Sequence, residues 1–310
     1  MEITPIPNRI EAANPMAESD VKTRWRAAMK QKPTSVSELK AMLDGVIGGG
    51  SLLLQIRRFN HVMVEELGKA FPLVGSALLD VGASVWGFAL EAALDRGVTL
   101  YEGVTLGVKS WNTAVVQISG PDGQIGRLRE MNAERLNFPP ETFDCLLSSS
   151  TFEHFIRPTV VLAEMYRVLR PGGVALVSFD GVWSCSYGHH LLQYGETINR
   201  LVPPWSHLLL DEFQMRMFLA GKPWPVGSPV SLKEAVKWIY RSKELNRIGI
   251  QDLRKAFEDS AFEIEWIVIL KDEAAEELKP AADFLSEILP YTSEELLTRG
   301  LSVLLRKGSG

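Results

Sequence analysis

Cysteine is scarce in this chain of 310 residues: Cys145 and Cys185 stand far apart, with no CxxC spacing. That excludes a disulfide framework and a zinc knuckle and points to a reducing compartment. Basic runs are missing as well. No block of Lys or Arg exceeds two residues and the formal charge is −5, so no field is present to hold a phosphate backbone, and nucleic acid is not an expected partner. Nor does any uncharged apolar run approach the ~18 residues a membrane span requires. The opening stretch MEITPIPNRIEAANPMAESD is acidic and proline-containing where a signal peptide is basic and then apolar. A cytoplasmic protein without a membrane partner is expected.

What the chain does contain is ordinary globular material, 46% hydrophobic and 23% charged, long enough for one large domain with embellishments. Residues 1 to about 20 lack periodicity and read as an arm. SVSELKAMLDGVIG opens with a Ser-x-x-Glu capping box at Ser35 and Glu38, and LLLQIRRFNHVMVEELGKAF is again helical, so two helices precede the first strand. Residues 1–70 are therefore expected to form an N-terminal arm and helices, and residues 71–310 the main domain.

Beyond Ala77, short apolar runs alternate with longer amphipathic ones, the pattern of a parallel sheet covered on both faces. SALLDVG, VTLYEGVTL, IGRLREMNA, FDCLLSSST and VALVSFDG read as strands. RPTVVLAEMYRVLR reads as a helix stopped by Pro171-Gly172-Gly173. Residues 183 to about 245 break the rhythm, with four tryptophans and three of the five histidines, and read as an inserted lid. A helix at DLRKAFEDS, a strand at FEIEWIVIL, an acidic helix and a closing strand LSVLLRK follow.

The stretch NAERLNFPPETFDCLLSSSTFEHFIRPTVVLAEMYRVLRPGGVALVSFDG, Asn132 to Gly181, resembles the middle of class I S-adenosylmethionine-dependent methyltransferases of the type 11 group. The resemblance runs from Ala77 to Gly181 and returns over Ile250 to Lys307. It implies a doubly wound, Rossmann-like α/β sheet of seven strands with an antiparallel last strand, N-terminal helices, the lid, and S-adenosyl-L-methionine as cofactor. Cofactor contacts are implied for Asp80, Gly82, Ala83, Ser84, Gly87, Thr105, Asn132, Ala133 and Ser149. Departures are visible: the family's Asp-x-Gly-x-Gly-x-Gly has Ser84 and Trp86 at its second and third glycines, Thr105 stands where an acid usually grips the ribose, and Asn132 replaces an adenine-side Asp. Glu102 reads as a solvated strand-edge acid.

For methyl transfer to oxygen a base is needed where the acceptor keeps its proton, and His190, His207 and His154 are the candidates. Trp183, Tyr187, His189 and Trp205 are expected on the acceptor pocket wall. His207 and Asp211 are spaced i, i+4, but without further ligands no metal is expected. The leading function is O-methylation of a small-molecule or carrier-bound acceptor, such as a sugar or a secondary metabolite. The rivals are a methyltransferase-like scaffold that no longer binds the cofactor, suggested by Trp86 and Thr105, and a nicotinamide-dependent oxidoreductase, which GASVWG disfavours by lacking the GxGxxG order.

Overall fold

The computed structural model describes residues 33–47, 52–106 and 115–309. The expected arm, residues 1 to about 20, lies outside them. Helix α1 (Val36–Val46) starts where Ser35 Oγ accepts the Glu38 amide at 3.2 Å, while Glu38 reaches back to the amide of Thr34 at 2.7 Å. Val36, Leu39, Met42, Leu43 and Val46 recur along one face and are buried. Helix α2 (Leu52–Ala70) follows.

The sheet comprises β1 (Ala77–Val81), β2 (Leu100–Thr105), β3 (Val115–Ser119), β4 (Ile125–Glu130), β5 (Phe143–Ser149), β6 (Leu169–Phe179), β7 (Glu263–Lys271) and β8 (Thr298–Arg306). Their spatial order is β3-β4-β2-β1-β5-β6-β8-β7. Strands β4, β2, β1, β5 and β6 are parallel; β8 runs against both β6 and β7. The doubly wound Rossmann-like fold and the antiparallel end are therefore as expected. The strand count is eight, not seven. The added strand β3 pairs antiparallel with β4 through a turn at Gly123, φ +84, and its exposed-buried alternation marks a half-covered edge.

Helices α3 (Phe88–Asp95) and α4 (Pro158–Val168) are the crossovers. The Pro171-Gly172-Gly173 stop lies inside β6, because α4 ends at Val168 and its chain turns straight into the strand. Gly173 has no room for a side chain, since a Cβ would stand 2.7 Å from the Asp144 carbonyl. One sheet face is covered by α1, α2 and α3; the other packs on α4 and α7 (Ile250–Glu258). Between β6 and α7 the segment expected as a lid has its own apolar centre, Leu191, Val202, Met215, Leu219, Val236 and Ile239 among its members. Two lid helices, α5 (Glu212–Ala220) and α6 (Leu232–Arg241), share that centre. Helix α8 (Ala275–Leu285) precedes β8.

No helix among the described residues is long and apolar enough to cross a membrane. Cys145 and Cys185 are both free and buried.

The β6–β8 contact carries a sharp steric test. A Cβ at Gly300 would lie 1.9 Å from the Phe179 carbonyl oxygen. Gly300→Ala is expected to lower the unfolding free energy by at least the ~1–3 kcal/mol typical of overpacking. Urea denaturation measures this; an unchanged midpoint would contradict the strand pairing.

Candidate active site

The sheet reverses direction of growth between β1 and β5, the switch point at whose carboxyl edge open α/β sheets form ligand clefts. The chain leaves β1 at Val81 and turns through Gly82, φ +85, into α3, whose N-cap Gly87 has φ +69. Ser84 Oγ accepts the Trp86 amide at 3.3 Å inside this turn. The Trp86 ring stacks on Phe88, centroids 6.0 Å apart and planes 9° from parallel, and packs on the core of α1 to α3. This departure from the glycine pattern therefore leaves the cleft open.

A cleft of about 190 Å³ brings together Asp80, Gly82, Ser84 and Ser149. It adds Ile56 and Asn60 from α2, and Ser150. Neither helical residue was legible as a site residue, because nothing in the α2 sequence says that it lies over the end of β1. Glycine at position 82 also has a steric reason within the protein. A Cβ there would meet Thr151 Cγ2 at 2.2 Å, and Thr151 Oγ1 donates to the Ser149 carbonyl at 2.8 Å. The bare face of Gly82 receives a protein side chain.

Two buried polar atoms of the cleft residues, Asp80 Oδ1 and Ser149 Oγ, have no hydrogen-bond partner. Asp80 Oδ2 accepts from the Tyr101 hydroxyl at 2.5 Å. Burial pushes the Asp80 carboxyl up to about 7, against the lowering effect of that hydroxyl. Buried groups left unsatisfied cost about 1–3 kcal/mol each, so a cationic and hydrogen-bonding ligand end is complementary to this spot.

Other expected cofactor residues do not line the cleft. Ala83 is buried beside it, its amide on the Val104 carbonyl at 3.0 Å. Gly87 abuts Leu39 instead, 3.4 Å from where its Cβ would be. Thr105 ends β2 and its carbonyl accepts the Met131 amide at 3.1 Å. Asn132 is exposed, with Oδ1 closing a turn onto the Glu134 amide at 2.9 Å, and Ala133 is buried under α4. Glu102, expected to be solvated, is instead buried and clasped by Arg129 at 2.6 Å and Arg127 at 2.9 Å, both from β4. Those two guanidiniums compensate its desolvation.

Four of the five histidines fall into two pairs. His154 follows β5 and His190 reaches back to the end of β6; their rings are 5.2 Å apart. His154 Nδ1 bonds the Glu244 carbonyl at 2.6 Å and His190 Nε2 the Gly181 carbonyl at 2.5 Å, so each ring donates from that nitrogen. Beside them Glu153 is buried, with its carboxyl pushed well above the usual range by burial and then by Asp180. His207 and His189 form the second pair, rings 5.4 Å apart, inside the lid. His207 Nε2 donates to the Trp183 carbonyl at 2.8 Å, and His189 Nδ1 accepts the Leu191 amide at 3.1 Å. Burial lowers His154, lowers His190 and His207 to about 4, and takes His189 well below its usual value.

Of the expected pocket-wall residues, Trp183 meets His207 edge-on at 4.6 Å, and Tyr187 meets His189 at 5.6 Å. Trp205 corrects the expectation. It is 1% exposed, its Nε1 donates to the Leu296 carbonyl, and it packs with Ala282 and Leu285 of α8, so no face is left for a substrate. Asp211 caps α5 by accepting the Gln214 amide at 2.8 Å and does not join His207 in a ligand pair.

The chain is similar to known proteins over part of its length. Residues 79–177 match the model of a methyltransferase domain family, type 11. An uncharacterized methyltransferase of Mycobacterium tuberculosis is 36% identical over 171 residues, covering 52% of this chain and 65% of that protein. One from Mycobacterium avium is 36% identical over 131 residues, covering 41% and 49%. The chain spans half to just under two thirds of the length of these relatives. A solved S-adenosylmethionine dependent methyltransferase from Mesorhizobium loti aligns with a TM-score of 0.44 at 17% identity, covering 78% of this chain and 96% of that one. S-adenosyl-L-methionine is the cofactor of this class. The residues present fit its amino-acid end, because the orphaned Asp80 Oδ1 is complementary to an ammonium and Ser149 Oγ to a carboxylate.

The buried histidines set a pH dependence of stability. An imidazole at about 4 when folded and an ordinary 6.5 when unfolded leaves the unfolded chain binding more protons between those values. Its contribution is therefore present above pH 6.5 and is lost as pH falls toward 4. Asp80, raised to about 7, has the opposite sign, but it is common to wild type and variant. His207→Asn should flatten the slope of unfolding free energy between pH 4.5 and 6 by about 1.4 kcal/mol per pH unit. Urea titrations across that range test it, and parallel slopes would place His207 in water.

Proposed function

We propose that this chain transfers the methyl group of S-adenosylmethionine to an oxygen of a small or carrier-bound acceptor, of the sugar or secondary-metabolite kind. The observation that supports this reading is the pair of orphaned buried atoms, Asp80 Oδ1 and Ser149 Oγ, in a cleft at the β1/β5 switch point. When bound, the cofactor would supply a sulfonium methyl: the acceptor oxygen would bond to the methyl carbon as the C–S bond breaks, the neutral thioether would leave, and the hydroxyl proton would pass to a neutral imidazole. Asp80 pairs with the ammonium, which draws its carboxyl toward the ionised form. Ser149 donates to the carboxylate, while Ile56 and Asn60 of α2 shield the cleft from water.

On the acceptor side, His190 with His154 ranks ahead of His207. The first pair stands at the ends of β6 and β5, on the same sheet edge as the cleft, whereas His207 lies inside the lid. Each ring of that pair has one nitrogen committed as donor to a carbonyl, which leaves the other with a lone pair for an acceptor hydroxyl. Neutral imidazole is the form present near pH 7, since burial lowers both groups. The rings accept a hydrogen bond and orient the oxygen lone pair toward the methyl, and proximity carries most of the acceleration.

Isothermal titration with S-adenosylhomocysteine tests the cofactor site. Wild-type protein is expected to bind and Asp80→Asn to weaken binding about 10- to 100-fold, the loss of one charge-assisted contact. No heat from folded wild-type protein would favour the scaffold without a cofactor. A second outcome concerns pH. At saturating cofactor, which holds Asp80 ionised, and with the His190 imidazole lowered to about 4, turnover should hold steady from pH 8 down to 6 and fall only below 5. An inflection near 6.5 would assign the proton acceptor to an exposed histidine instead.

A further inference from the structure

We propose that the outer face of the lid docks on an anionic lipid surface, a partner that the composition of the whole chain does not suggest. The first observation is a concentration of exposed apolar side chains. Leu209, Phe213, Met217, Phe218 and Val226 all reach solvent within one short stretch, with Phe213 69% and Met217 59% exposed and Val226 fully so. Phe213 and Met217 are spaced i, i+4 on α5, and the buried residues of that helix, Met215 and Leu219, point the other way into the lid centre. The apolar pair is thus an outward face that the fold itself leaves bare. A patch of this kind on a helix is unfavourable in water without a partner.

The second observation is charge. Residues 209–247 carry seven Lys and Arg against four Asp and Glu, while the chain as a whole is acidic. The acids of this segment are largely spoken for: Asp211 and Glu234 cap helices, and Glu212 is held by Arg241 at 2.7 Å and Arg216 at 3.5 Å. On α6, Lys233 and Lys237 are exposed on the side away from the buried Ala235, Val236 and Ile239, with the Glu234 carboxylate of the same helix acting on both. Lys222 lies 4.3 Å over the Phe218 ring, which puts a cation next to the apolar side chains.

Apolar anchors on one helix and exposed lysines on the next, the two helices sharing one core, are the combination that partitions into the headgroup boundary of an anionic bilayer. A neutral protein groove would use the apolar residues and leave the lysines without a role. A second copy of this chain would set lysine against lysine. The proposal concerns the lid surface alone and does not depend on methyl transfer.

Co-sedimentation of the full chain with vesicles tests it, comparing pure phosphatidylcholine with a mixture containing phosphatidylglycerol. Binding is expected to the anionic vesicles and to weaken as salt rises. Phe213→Ser with Met217→Ser should reduce the bound fraction at least tenfold, as should Lys233→Glu with Lys237→Glu, while thermal unfolding midpoints stay within a few degrees of wild type. S-adenosylhomocysteine affinity of both variants, measured in parallel, should not change. No sedimentation with anionic vesicles, equal binding to neutral ones, or binding indifferent to both pairs of substitutions would overturn the proposal. So would concentration-dependent dimerisation that the Phe213/Met217 variant abolishes without any vesicle binding by wild type.

Discussion

The position of β1 between two parallel partners is the constraint on which the rest depends. Leu78, Leu79, Asp80 and Val81 are all buried, with β2 on one edge and β5 on the other. Parallel neighbours require crossovers that cover both faces, so the carboxyl edge is where the strand can open to a ligand. It also forces an acid to the interior. Asp80 stands at the last buried turn of β1 with one oxygen on Tyr101 and the other unpaired, a state that a bound cation relieves.

The lid answers a different requirement. It has an apolar centre separate from the two sheet cores, while Cys185 joins a sheet core and Trp205 packs on α8. Within it the histidines hold the chain together: imidazole donors satisfy the Gly181, Trp183 and Glu244 carbonyls, groups that would otherwise lie unpaired in a region without regular secondary structure. Structural service and chemistry are not exclusive for His190 and His154, because each ring uses only one nitrogen for the carbonyl. For Trp205 they are exclusive, since its whole ring is enclosed.

Most of the fold was legible because local periodicity and packing agree. The buried face of α1, the continuous apolar run of β1 and the amphipathic α7 each carry their burial pattern in the spacing of side chains. Strand β3 was not legible: it is a five-residue edge ribbon whose alternation is short and whose partner is only the next strand. The stop at Pro171-Gly172-Gly173 was legible, since α4 ends at Val168, but a stop signal does not say whether a turn or a strand takes over.

At the candidate site the sequence by itself determined the residue types and their order along the chain: an acid and a glycine after the first strand, a serine ending β5, and histidines gathered in one insertion. Those follow from spacing, which is local. Tertiary structure alone decided that Thr151 fills the bare face of Gly82, that Trp86 turns toward Phe88, that Ile56 and Asn60 wall the cleft, and that Glu102 is gripped by arginines of β4. All but the Trp86–Phe88 stack join segments far apart in the chain. Their geometry is fixed by how helices and strands pack and not by which residues stand next to one another.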